Sequence, residues 1–189
     1  MAAALDVVTR EAYWIAPSVL LALVVAAREL HRSPPEGPAR WGAALNAYTG
    51  VLIATMASGH LLAVSLLALD GTVRGQPAVL HAIGVVLLVP AVLVARNAAR
   101  IRRGTSDRSA TVRVNALLIL ALLLTGPRNL PLAIPAGLNI AYAMQTRRAV
   151  GRGIAALAAS MAVLLLVGSV RFFLSGDSFE AFRGIESRP

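Results

Sequence analysis

The sequence predicts an all-α fold, a polytopic transmembrane bundle with six helices as the preferred count. Three observations carry the prediction. The chain of 189 residues is 57% hydrophobic and 14% charged, with mean hydropathy +0.71, against about 45–50% apolar and about 25% charged in an ordinary soluble domain. Its apolar residues lie in long blocks rather than in a helical stripe or a strand alternation, which is the pattern of segments that are apolar on every side. Its arginines fall in the short connections between blocks, where they orient a membrane protein.

Uncharged runs cover residues 12–27, 41–69, 75–95, 114–127, 129–146 and 153–170. A helix needs about 20 residues to cross the hydrocarbon core, with about 17–25 tolerated when terminal arginines snorkel outward. The first, second, third and sixth blocks qualify as spans. Trp14 and Trp41 stand near block ends, as interfacial anchors do. Asp6 precedes Arg10, so the N-terminus lacks the basic start of a signal peptide and is expected to remain as the first helix.

The fourth and fifth blocks are separated by Gly126-Pro127-Arg128-Asn129, with Pro131 and Pro135 close behind. Joined, they would make a helix of about 33 residues, or roughly 50 Å at ~1.5 Å per residue, too long for one crossing without extreme tilt. Gly-Pro is a turn signal and each proline removes a backbone donor. Two short helices around a tight turn is therefore preferred; the alternative is five helices plus a broken or re-entrant segment.

Loop charge tests this choice independently. Six helices place Arg28, Arg32, Arg40, Arg96, Arg100, Arg102, Arg103, Arg108, Arg113, Arg147, Arg148 and Arg152 on one side, and Arg10, Arg74, Arg128, Arg171, Arg183 and Arg188 on the other. Twelve inside against six outside obeys the positive-inside rule, and both termini then lie outside. Five helices would instead move Arg147, Arg148 and Arg152 outside. The expected setting is a bacterial cytoplasmic (inner) membrane.

Residues 1–174 are expected to form the bundle and residues 175–189 a short amphipathic tail. There Asp177 and Glu180 have the spacing of a helix cap, and Phe179 and Phe182 share a face. Residues 33–38 read as a turn-rich linker. Residues 96–113 read as a basic loop with a flexible centre at Gly104-Thr105-Ser106-Asp107; its role is topological, or attraction to anionic lipid headgroups.

Composition excludes several chemistries. The chain has no cysteine, which removes disulfides, thiolate metal sites and cysteine nucleophiles. All 18 basic residues other than histidine are arginine, and without lysine no Schiff base or P-loop forms. The net charge of +9 does not indicate nucleic acid, because the arginines are distributed among loops.

Polar side chains inside the blocks are where function is sought, since lipid makes them costly. Asn46, Thr49 and His60 share one helical face of the second block, with Ile53 and Met56 between them and small residues Gly50, Ala54, Ser58, Gly59 and Ala63 nearby. His81 in the third block, followed by Gly84, matches His60 in depth within about one turn across the loop at 70–74. Two such histidines on neighbouring helices are suited to ligate a b-type haem, and equally suited to hydrogen-bond across the bundle. His31 is assigned to a loop. Ser58 and His60 are two apart, do not face each other and make no catalytic pair. Arg128, Asn129, Asn139, Tyr142 and Gln145 form a second polar group around the proline-broken blocks.

The expected function is that of a non-catalytic accessory or structural subunit, surrounded by lipid and packing against other membrane subunits or itself. A b-type haem electron-transfer subunit built on His60 and His81 is one alternative. A small-solute transporter or channel, using the proline-broken segment, is another.

Overall fold

In a computed structural model the structure describes residues 11–33, 38–69, 71, 77–125 and 129–144. The sixth apolar block, the tail at 175–189, the arginines at 147–152, and Arg128 and Gln145 of the second polar group lie outside the described residues.

The described chain is all helical, with no strand among the described residues. Five helices follow in order: α1 (Glu11–Arg32), α2 (Pro38–Leu69), α3 (Pro77–Arg102), α4 (Arg108–Leu124) and α5 (Leu130–Met144). The apolar stretches of α2 and α3, Ala39–Leu69 and Ala78–Arg102, are long and apolar enough to cross a membrane. Pro38 and Pro77 open these two helices, at the position where a missing N–H costs nothing and a fixed φ is already helical.

The helix ends have local causes. Gly71, at φ 73°, follows the last turn of α2 and donates to the Ala68 carbonyl at 3.2 Å. Gly104, at φ 69°, ends α3 in a Schellman motif: its N–H reaches the Ile101 carbonyl at 3.0 Å and the Thr105 N–H reaches Arg100 at 2.9 Å. Asp107 then caps α4 by accepting from the Ala110 N–H. The connection at 96–113 is therefore not a long basic loop. It is helix up to Arg102, a turn at 103–107, and helix again from Arg108. The sequence misleads here because arginines near helix ends extend to water from an intact helix. For the same reason His31 and Arg32 form the exposed last turn of α1 rather than a loop.

Helices α2, α3, α4 and α5 form a ring in which each packs on the next and α5 returns to α2; α1 lies outside the ring against α2. The α2–α3 hairpin is antiparallel along its length. A Cβ on Gly50 would come within 2.7 Å of the Ala95 Cα, so glycine there is what permits the close backbone approach, while one on Gly84 would meet the Leu61 side chain at 2.5 Å. The α4–α5 pair also folds back on itself, because Asn115 and Asn139 touch across the turn. Two separate helices occupy this region, as the Gly-Pro signal predicts. Ala22, Ala26, Ala44, Tyr48, Leu52, Ala91, Val94, Leu118, Leu122 and Ala136 fill the core.

Candidate functional site

The interior holds a cluster of carboxamides, with one asparagine from each helix of the ring. Asn46 (α2), Asn97 (α3), Asn115 (α4) and Asn139 (α5) are all buried, as are Thr49 and Thr111 beside them. They lie toward the end of the bundle where α2 and α4 begin and α3 and α5 finish.

Every amide hydrogen in this cluster is used. Asn46 Nδ2 donates to the Gly42 carbonyl at 2.9 Å and to Asn139 Oδ1 at 3.2 Å. Asn97 Nδ2 donates to Asn46 Oδ1 at 3.3 Å and Thr111 Oγ1 at 3.0 Å. Asn115 Nδ2 donates to Asn46 Oδ1 at 3.0 Å and the Thr111 carbonyl at 2.9 Å. Asn139 Nδ2 donates to Thr49 Oγ1 at 3.0 Å and Asn115 Oδ1 at 2.8 Å. The remaining oxygen, Asn97 Oδ1, accepts from Ser106 Oγ at 2.6 Å, tying the α3–α4 turn to the cluster. Thr49 passes its own proton to the Leu45 carbonyl at 2.8 Å.

A network with both N–H groups of each asparagine committed, and each amide oxygen facing a donor, offers neither a cage of free oxygens to a cation nor free donors to an anion. Its chemistry is cohesion. In an apolar surround an unmade bond is expensive, so four helices are held in one register.

An ion pair clamps the outer helix at the same end. Arg102 Nη1 on α3 contacts both Glu29 carboxylate oxygens on α1, at 2.7 and 2.8 Å, with both side chains largely withdrawn from solvent. Arg40 Nε donates to the Leu30 carbonyl at 2.9 Å, joining the end of α1 to the start of α2.

His60 and His81 sit further along the α2–α3 hairpin, both half-buried. His60 Nε2 is 3.0 Å from the Leu80 carbonyl. A carbonyl only accepts, so this nitrogen carries the proton. His81 Nε2 is 3.0 Å from Ser65 Oγ, which spends its single proton on the Leu61 carbonyl at 2.8 Å. Ser65 Oγ thereby links His81 to the Leu61 carbonyl on α2. The two histidines thus lie about one turn apart along the hairpin, each bonded across it, His60 to the residue before His81 and His81 to a serine beyond His60.

The remaining sequence candidates divide between these places. Asn46 and Thr49 join the network, and so does Asn139 from the second polar group. Tyr142 packs over Gly42, where a Cβ would stand 3.2 Å from its ring. Asn129 bonds Thr125 Oγ1 at 3.0 Å at the α4–α5 turn. Ser58 faces outward. Sequence reasoning missed Asn97, which stands next to Arg96 inside the stretch read as a loop, and Asn115, which stands at the start of the fourth apolar block two residues after Arg113. One signal was available: four of the five asparagines fall one per helix near the same end of the bundle. Among the described residues no three metal-ligating side chains gather.

No protein-family model matches the chain, and no curated protein or solved structure is significantly similar to it.

Proposed function

We propose that the chain is a multi-pass integral membrane protein of six spans, acting as a non-catalytic accessory or structural subunit that packs against other membrane subunits or a second copy of itself. The observation that carries this reading is the closed asparagine network, which spends the polar capacity of its four carboxamides on holding helices together. Two further features support it. Within the most apolar 18 residues of α2 and of α3 only 28% are buried within the molecule, whereas the core helix of a water-soluble protein hides most of its apolar surface. Leu20, Leu21 and Val24 on α1, Val85, Val86 and Val89 on α3, and Leu117, Leu120 and Leu123 on α4 face outward, as lipid- or subunit-facing side chains do.

The described arginines support the orientation. All nine, Arg28, Arg32, Arg40, Arg96, Arg100, Arg102, Arg103, Arg108 and Arg113, stand at the end where α1, α3 and α5 finish. That end is placed in the cytoplasm.

Haem ligation by His60 and His81 is the competing reading, favoured by their placement on adjacent helices within about one turn of each other. As arranged, however, both Nε2 atoms are engaged in cross-hairpin bonds, so an iron taking those nitrogens requires both to be surrendered.

Purification in mild detergent tests the subunit reading. A species larger than one chain, or a reproducible co-purifying membrane protein, is expected; a stable, colourless monomer with no companion overturns it. A reporter active only in the cytoplasm, fused to the C-terminus, should be silent, and strong signal there refutes six spans.

A further inference from the structure

The arginines of α3 and α4 are arranged in more detail than orientation requires. On α3, Val86, Val89, Leu93, Arg96 and Arg100 succeed one another at spacings of three and four and are all exposed, so they form one outward stripe that is apolar below and cationic above. On α4 the exposed stripe runs in the matching sense: Arg113 above, then Leu117, Leu120 and Leu124.

The Asn97–Thr111 bond at 3.0 Å sets the relative level of the two helices. Arg96 adjoins Asn97 and Arg113 lies two residues beyond Thr111, so the two arginines share a depth within about one helical turn. Arg100 and Arg108 stand about a turn further out, again level with each other. Arg96 and Arg113 are six and five residues inside their helix ends, or about 9 and about 7.5 Å. None of these four side chains meets a carboxylate among the described residues. The acids at this end are Glu29, engaged by Arg102, and Asp107, which caps α4.

We propose that the outer face of the α3–α4 hairpin is a binding site for an anionic phospholipid, with Arg96 and Arg113 holding the headgroup phosphate, Arg100 and Arg108 completing the cationic rim, and the acyl chains lying along Val89, Leu93, Leu117 and Leu120. Guanidinium groups donate to phosphate oxygens in pairs and keep their charge at any physiological pH. Their stems lie over the apolar stripe while the heads reach outward, which is where a phosphate stands above its acyl chains. Four cations with no carboxylate partner among the described residues select a headgroup of net negative charge over a zwitterionic one. The occupant is a lipid rather than a free anion because the cationic tier continues directly into an exposed apolar stripe.

The inference rests on the membrane reading, and the experiment separates the two. The full-length chain is expressed in membranes containing phosphatidylglycerol and phosphatidylcholine, washed with alkaline carbonate, extracted in mild detergent, and its retained lipids are counted by mass spectrometry. The wild type should retain phosphatidylglycerol preferentially. Arg96→Gln with Arg113→Gln should lower that preference by roughly 25-fold, taking about fivefold per arginine near the surface, whereas Arg28→Gln with Arg32→Gln on α1 should leave it intact. Equal loss in both pairs, or no preference in the wild type, overturns the site. If the α3–α4 pair fails to accumulate, titration of the wild-type protein decides: phosphatidylglycerol must saturate at a small whole number per chain while inorganic phosphate and phosphatidylcholine do not compete. Release of the chain by carbonate would instead defeat the membrane reading itself.

Discussion

Asn139 Nδ2 donates to Asn115 Oδ1 at 2.8 Å although the two residues are 24 positions apart in the chain. In one continuous helix they would stand about 36 Å from each other. Their contact therefore establishes that α4 and α5 fold back as an antiparallel pair, and it connects the α4–α5 hairpin to Asn46 on α2 and Asn97 on α3.

Replacement of the network's hub should cost more than replacement of its edge. Asn46→Leu strands a donor on Asn97, a donor on Asn115 and an acceptor on Asn139, while Asn97→Leu strands mainly Ser106 and Thr111, nearer the surface. With interhelical bonds in membranes contributing about 0.6 kcal/mol on average and up to about 1.7, Asn46→Leu is expected to lose about 2–4 kcal/mol and Asn97→Leu about half that. Thermal unfolding in detergent measures both, and an unchanged midpoint for Asn46→Leu would show the network to be dispensable.

Two glycines should respond in opposite directions to the same change. Gly50→Ala places a methyl group against the Ala95 backbone, with no flexible side chain to yield, and should separate the α2–α3 hairpin. Gly137→Ala has nothing within 4 Å of the new methyl and should gain about 0.5–1 kcal/mol from the reduced freedom of the unfolded chain. Equal unfolding midpoints for the two variants would contradict the close approach.

The Glu29–Arg102 pair should behave as a clamp between α1 and α3. Either Glu29→Leu or Arg102→Leu leaves one partly buried charge unpaired, at an expected loss of about 1–3 kcal/mol. The exchange Glu29→Arg with Arg102→Glu should recover much of it, because the contact is rebuilt with its charges reversed. A double-mutant cycle reads the coupling directly, and a coupling of zero sinks the idea.

Replacement of the histidines distinguishes hydrogen bonding from metal ligation. Glutamine retains an N–H donor, so His60→Gln and His81→Gln should stay closer to wild-type stability than the alanine variants. A low-spin b-type spectrum that disappears in either alanine variant, but persists in His31→Ala, would decide for haem instead.

Much of the helical layout was legible along the chain. Apolar blocks of sufficient length become helices in any surround that hides backbone polar groups, and Gly126-Pro127 marks the break before α5 because proline cannot continue the hydrogen-bond ladder. The extension of α3 to Arg102 and of α1 to Arg32 was not legible, since an arginine at a helix end resembles one in a loop. Asn46, Thr49 and Asn139 could be named because each stands in an apolar block. Asn97 was hidden among arginines, and Asn115, at the start of an apolar block, was passed over beside Arg113.

What the sequence by itself determined is therefore the helical class, the long apolar stretches of α2 and α3, and the α4–α5 break, all consequences of local composition and periodicity. Only the tertiary structure decided that four asparagines meet, that Arg102 closes on Glu29, and that His60 and His81 bond across the hairpin rather than to each other. The physical reason is that periodicity orders residues around a single helix. Which faces then meet depends on close approaches such as Gly50 with Ala95, and those are contacts between segments far apart in the chain.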